Sequence, residues 1–337
     1  MKRFLSILLP LALAVMLCAG CSPSAPQKDD SGKKLSVVST IFPGYDFTRE
    51  VAGEHVELAM LLPPGAESHS FEPTPQDIIK IQNCDVFIYV GGDSDTWVAG
   101  MLDTMDTSGM EIISLMDLVE TVPEEIVEGM EDDHDHEEDV QHDHEDGHED
   151  EHDHEDGHGH EYEYDEHVWT SPVNAMKITE AISDTLCSLD GENGDAYRAN
   201  CQAYVRKLAE LDASFRNLVQ DAARKTLIFG DRFPFRYLVD EYGLDYFAAF
   251  PGCSTETEAS VQTVAFLIDK TRAEKIPAVF HIEFSNEKMA DTICEATGAQ
   301  KLLLHSCHNV SKAQFAAGVS YLELMNQNAA ALKEALN

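Results

Sequence analysis

Five side chains spread along the 337 residues are of types that coordinate cations: His69, His167 and His305, with the carboxylates Asp231 and Glu283. Three neutral imidazoles plus one oxygen donor suit zinc, at distances of roughly 2.0–2.2 Å. A shell richer in carboxylate would favour manganese, and copper or nickel would compete in vitro. The fourth donor is open between Glu283, Asp231 and water. His308, three residues beyond His305, is the alternative imidazole from that segment. Glu283 could instead accompany a helix cap at Ser285 and Asn286, and Asp231 could pair with Arg232 or Arg236 to organise a cleft. Imidazoles bind metal only when deprotonated, so capture should weaken as pH falls through about 6.5.

These residues need elements to bring them together. Short apolar runs predict strands at Leu35–Ile41, Glu57–Leu62, Val86–Val90 and Glu111–Leu115. Helical patterns lie between them at Tyr45–Ala52, Pro75–Asn83 and Trp97–Thr104. A second block has strands at Thr226–Phe229, Asp245–Phe250, Ala278–Ile282 and Lys301–Leu304. These alternate with helices near Phe235–Tyr242, Val261–Ala273, Asn286–Thr297 and Lys312–Leu336. Strand–helix alternation in two blocks predicts two α/β lobes with mainly parallel sheets. The helical stretches Pro172–Leu189 and Asp195–Ala223 form the candidate connector. Ligands of such sheets bind beyond the C-terminal strand ends. His69, Asp231, Glu283 and His305 each follow a predicted strand, and His167 precedes the helix start Ser171-Pro172.

A second population of imidazoles has a different character. Between Glu124 and Glu166 lie 23 Asp/Glu and no Lys or Arg in 43 residues, together with nine of the 15 His: His134, His136, His142, His144, His148, His152, His154, His158 and His160. Three windows match the H-E-x-x-H metalloprotease pattern, starting at His144, His148 and His154. That pattern needs a helix with a structured face. Here it sits among Gly147, Gly157 and Gly159 with few apolar residues, and is read as a product of low complexity. The segment is expected to be disordered without metal and to capture zinc-like ions weakly and multiply. It holds more than half of the formal charge of −39. Such a balance excludes a nucleic-acid binder, which needs a basic footprint.

The N-terminus reads as a secretory signal: Lys2 and Arg3, then the apolar run Phe4–Leu17, too short to span a bilayer comfortably. Ala19 and Gly20 precede Cys21, as at a bacterial lipobox, so Cys21 is the predicted lipidation site. The expected organisation is 1–20 signal peptide and 21–34 lipidated flexible tether. It continues with 35–123 N-terminal lobe, 124–166 acidic His-rich loop, 167–225 completion of that lobe and connecting helix, and 226–337 C-terminal lobe. Cys187 and Cys201 flank a Gly/Asp/Asn turn, where a local disulfide is plausible.

The runs Gly65-Ala-Glu-Ser-His69-Ser-Phe71-Glu72-Pro73-Thr-Pro75 and Asp165-Glu166-His167-Val-Trp169-Thr-Ser171-Pro172 resemble the first two metal-site motifs of the zinc/manganese solute-binding lipoproteins of bacterial ABC importers. Glu295-Ala-Thr-Gly298-Ala and the ending Tyr321–Leu336 are also similar. The resemblance covers Leu35 to the C-terminus, and zinc-type members likewise carry a His-rich insertion. It implies two similar lobes joined by a long rigid helix with the metal in the interlobe cleft, and His69 and His167 as ligands. It also implies a non-enzymatic, extracytoplasmic, lipid-anchored monomer that delivers zinc, or less readily manganese, to an ABC permease, touching the membrane only through its lipid. The pattern's third His falls on Phe229-Gly230-Asp231-Arg232-Phe233, where Gly230 replaces it. Its fourth, acidic position falls on Leu304-His305-Ser306, and His305 is expected to restore three imidazoles. The alternatives are a secreted zinc-dependent hydrolase, with Glu283 as base beside an open metal position, and an adhesion or zinc-buffering lipoprotein.

Overall fold

Eight short runs rich in Val, Ile, Leu and Phe become strands. The computed structural model describes residues 33–67, 70–130, 163–254 and 259–337. Leu35–Asn337 form one compact unit; of the separate unit Met1–Lys34, Lys33 and Lys34 are described.

The first sheet comprises β1 (Leu35–Ser39), β2 (Val56–Met60), β3 (Val86–Tyr89) and β4 (Glu111–Ser114), ordered β2-β1-β3-β4 and parallel throughout. Helices α1 (Phe42–Ala52), α2 (Pro75–Gln82) and α3 (Thr96–Leu102) connect them. The second sheet repeats that order with β5 (Thr226–Phe233), β6 (Asp245–Pro251), β7 (Ala278–His281) and β8 (Gln300–Leu303) as β6-β5-β7-β8, again parallel. Its helices are α6 (Arg236–Tyr242), α7 (Val261–Glu274) and α8 (Lys288–Thr297). In each sheet the chain steps to one side of the first strand and then to the other. This opens a crevice at the carboxyl ends of the two central strands.

Between the sheets, α4 (Pro172–Leu189) and α5 (Gly194–Gln220) double back on each other. At 27 residues α5 spans about 40 Å. Its face of Tyr197, Cys201, Tyr204, Leu208, Leu211 and Phe215 is buried. Ser171 caps α4 by accepting from Asn174 N, and Pro172 occupies the first turn, where a missing N–H costs nothing. Among the described residues no helix is long and apolar enough to cross a membrane.

Two expectations change. The helix expected over Lys312–Leu336 is two helices, α9 (Lys312–Ala317) and α10 (Tyr321–Ala335). Gly318 takes φ +74, which ends the first, and Ser320 accepts from Glu323 N to start the second. Cys187 and Cys201 are free thiols, directed at the carbonyls of Gly194 and Thr179 respectively.

Candidate metal centre

His167 enters the interior from the short 3-10 turn Val168–Thr170 that leads into α4, and it has no exposed surface. Asp165 Oδ1 accepts its main-chain N–H at 2.8 Å and stands 3.1 Å from its Nδ1. A carboxylate in that position holds the ring proton on Nδ1 and leaves the basic lone pair on Nε2, the usual arrangement of a metal-binding imidazole. Burial pulls the ring's pKa down, but Asp165, then Glu166 and Glu124, outweigh it and set it above the ordinary histidine value.

The partner imidazole comes from the chain after β8. Cys307 adopts φ +61, a left-handed conformation that reverses the backbone between His305 and His308. The His308 ring then lies 5.5 Å from that of His167, nearly perpendicular at 88°. Trp169 packs against both, with ring centroids 4.9 Å from His308 and 5.5 Å from His167. Its indole N–H donates to Ser306 O at 2.8 Å. Glu283, just past β7, accepts from Ser306 Oγ at 2.5 Å and Ser306 N at 2.8 Å, and Ser306 Oγ accepts from His308 N at 3.2 Å. His167, His308, Glu283, Ser306 and Arg232 line one cavity of about 20 Å³, room for an ion or a single water.

The other expected residues lie elsewhere. His305 does not line this cavity. Asn328 of α10 holds its main chain on both sides, at 2.7 Å each, and its Nδ1 accepts from Cys307 N at 3.0 Å. That nitrogen also stands 3.4 Å from Glu283 Oε1, and Nε2 is buried without a hydrogen-bond partner among the described residues. Asp231 accepts from Arg232 N and Ile282 N, at 2.9 and 3.1 Å, and ties β5 to the end of β7 instead of facing His167. Gly230 is not the cleft position of β5 either. A Cβ there would meet the Ala290 backbone at 2.6 Å, because α8 packs directly on the strand. The strand register shifts between Phe229 and Arg232, and Arg232 is the side chain that reaches the cleft. His69 and the nine imidazoles from His134 to His160 lie outside the described residues, as does Cys21. Among the described residues no three His, Cys, Asp or Glu converge closely enough to hold an ion unaided.

Residues 37–335 match the protein family described as zinc-uptake complex component A, periplasmic. The chain is 31% identical over 328 residues to the high-affinity zinc uptake system protein ZnuA of Bacillus subtilis, covering 97% of this chain and 96% of that one. This chain belongs to the zinc-uptake component A family. It is also 31% identical over 334 residues to the zinc-binding lipoprotein AdcA of Streptococcus pneumoniae, covering 99% of this chain but only 61% of AdcA's length. Two crystal structures have the same fold at 28% identity. The metal-dependent lipoprotein YcdH of B. subtilis has a TM-score of 0.72, with 90% of this chain and 100% of that one covered. The Zn(II)-bound ZnuA-like domain of S. pneumoniae AdcA has a TM-score of 0.70, with 90% and 99% covered.

Within this zinc-uptake component A chain, the cavity is backed by acid. Asp165 and Glu166 are buried, with Glu166 Oε1 accepting from Ser94 N at 2.8 Å and Glu124 Oε1 accepting from Cys253 N at 3.0 Å. Burial raises the pKa of Glu124, an effect that Cys253 N opposes and Asp165 reinforces. Gly92 makes room for this wall, since a Cβ on it would fall 2.2 Å from Glu166 Cγ. Sequence reasoning quoted Asp165 and Glu166 within the His167 motif but gave them no role, and it passed over Glu124, because all three sit at the borders of the acidic stretch.

Proposed function

We propose that this chain is the extracytoplasmic receptor of an ABC importer, capturing zinc in the cleft between its two sheets and delivering it to a membrane permease. The observation that carries this is the pair His167 and His308. One imidazole is fixed in the ligating tautomer by Asp165, and the other faces it beside Glu283. We assign His167, His308 and His69 as the imidazole donors, with Glu283 or water completing the set. Two neutral imidazoles with a third from the His69 loop suit zinc better than manganese. His305 and Asp231 become supports of the cleft's walls. The carboxylates Asp165, Glu166 and Glu124 offset the ion's charge without coordinating it.

Cys21 anchors the chain through lipid, the protein acts as a monomer, and the acidic His-rich loop raises the local metal concentration. No step makes or breaks a covalent bond in the cargo. The test is competition titration with zinc on the full chain. His167→Ala should abolish the tight site, whereas deleting 132–160 should lower stoichiometry and keep one tight site. Unchanged tight binding by His167→Ala would refute the assignment.

A further inference from the structure

Thr40 follows β1 directly, at the crevice between β1 and β3 of the first sheet, and is 1% exposed. Its main chain is fully used: the N–H donates to Ile88 O and the carbonyl accepts from Leu62 N, both at 2.9 Å. Its hydroxyl is buried and has no hydrogen-bond partner among the described residues. A buried hydroxyl is unfavourable unless something pairs with it, and valine would fill the same space without that cost.

Thr40 lines a cavity of about 10 Å³. Ser94, Asp95 and His308 are its other polar members, and apolar side chains such as Leu62 and Val90 make up the rest. His308 also lines the metal cavity and is the one residue the two spaces share. With one imidazole and one carboxylate, the smaller space is too poor in ligands for a metal ion of its own. Its volume is the minimum for one water molecule, and Thr40, Asp95 and His308 meet the two to four polar partners such a water needs.

The main chain of His308 is pinned on both sides. Its N–H donates to Ser306 Oγ and its carbonyl accepts from Phe42 N at the start of α1, each at 3.2 Å. What remains to be set is the ring. A ligating imidazole gives one nitrogen to the metal and donates a hydrogen bond from the other. For His167 the acceptor is Asp165. For His308 the carboxylate on the adjoining cavity is Asp95, whose Oδ2 accepts from Val90 N at 2.7 Å. A carboxylate has about four acceptor sites, so Asp95 can take a further donor.

We propose that this cavity is a binding site for one ordered water, and that Thr40, acting through that water, is a positioning residue that sets the His308 ring for zinc capture. This rests on the receptor reading above. The water accepts from the His308 ring N–H and from the Thr40 hydroxyl, and donates to the Asp95 carboxylate.

The experiment compares Thr40→Val with Thr40→Ser in the full chain, by competition titration with zinc and by calorimetry of the metal-free protein. Thr40→Val keeps the shape and removes the hydroxyl. It should bind zinc about tenfold more weakly, as for other groups that orient a metal ligand, while the metal-free melting temperature stays equal or rises. Thr40→Ser keeps the hydroxyl and should bind within about threefold of wild type. The loss from Thr40→Val should shrink in an Asp95→Asn background, since both residues act through one water. A crystal structure of the zinc-loaded wild-type chain should show a water in contact with Thr40, Asp95 and His308. A dry cavity, or a direct bond from Thr40 to His308, overturns the proposal without recourse to any variant. So do an equal loss in Thr40→Ser, additive losses with Asp95→Asn, and an affinity that falls only together with the melting temperature. A wild-type chain with no tight zinc site overturns the receptor reading and this role with it. Tight wild-type binding that Thr40→Val shares unchanged overturns this role alone.

Discussion

The indole N–H of Trp169 donates to the carbonyl of Ser306 at 2.8 Å, across 137 positions of sequence. That bond locks the segment bearing His167 to the segment bearing His308. Tyr321 of α10 adds a second tie, donating its hydroxyl to Trp169 O at 2.7 Å.

Trp169→Phe keeps an aromatic ring, though a smaller one, but removes the donor and leaves Ser306 O unpaired in the interior. A buried acceptor without a partner costs about 1–3 kcal/mol. Zinc affinity should fall by about tenfold, with a lower melting temperature of the metal-free protein; competition titration and calorimetry check both. Wild-type affinity in this variant would show that the tie does not position the imidazoles.

Asp165→Asn tests the tautomer argument. The amide can still accept from His167 N but holds the ring less strictly, and loss of such a partner typically costs 10–100-fold in metal affinity. Competition titration should show a loss in that range, with the fold intact by circular dichroism.

His308 and His305 should separate cleanly. His308→Ala should lose zinc affinity by at least about a hundredfold, as expected for a lost ligand. His305→Asn should keep affinity within about threefold while lowering the melting temperature, since its ring and main chain contact Asn328, Cys307 and the Glu283 carboxylate and do not line the cavity. The reverse pattern would return His305 to the site.

Gly230→His is the substitution that motif comparison would suggest to restore a third imidazole on β5. The backbone of Ala290 stands where its Cβ must go, at 2.6 Å. The variant should therefore gain no affinity and should lose about 1–3 kcal/mol of stability, measured by chemical denaturation.

The stability of the metal-free protein and the increment added by zinc should respond oppositely to pH. Burial is the main cause that pushes Asp46 up to about 7 and Asp95 up to about 6, from an ordinary 3.8, with Arg49 opposing at Asp46. Both carboxyls bind a proton more tightly folded than unfolded. Their stabilisation is complete below about 4 and is lost as pH rises through 6 to 7. The raised His167 acts with the same sign. Carboxylates with depressed pKa, such as Asp77 and Asp190, lose their contribution only at lower pH. The metal-free melting temperature should rise from pH 8 to pH 5, while the increment added by zinc shrinks, since protons compete for the imidazoles. Scanning calorimetry at both pH values, with and without zinc, checks the two signs.

The sequence by itself determined the architecture. Eight apolar runs became eight strands within a residue or two at most ends, and Ser171-Pro172 marked the start of α4 where it was expected. Local patterning suffices there, because alternation of buried runs and amphipathic helices leaves few ways to cover two parallel sheets. It also placed His167 and Glu283 at strand and helix ends. Which histidine of Leu304-His305-Ser306-Cys307-His308 faces the cleft was decided by tertiary structure alone. The left-handed turn at Cys307 and the grip of Asn328 on His305 set it, and both depend on α10 packing against the sheet from far along the chain. The same holds for Arg232: a shift of strand register and the close approach of Ala290 exchange the roles of positions 230 and 232. Side-chain direction in a strand reverses with every residue, so a local irregularity invisible to motif spacing determines what the cleft contains.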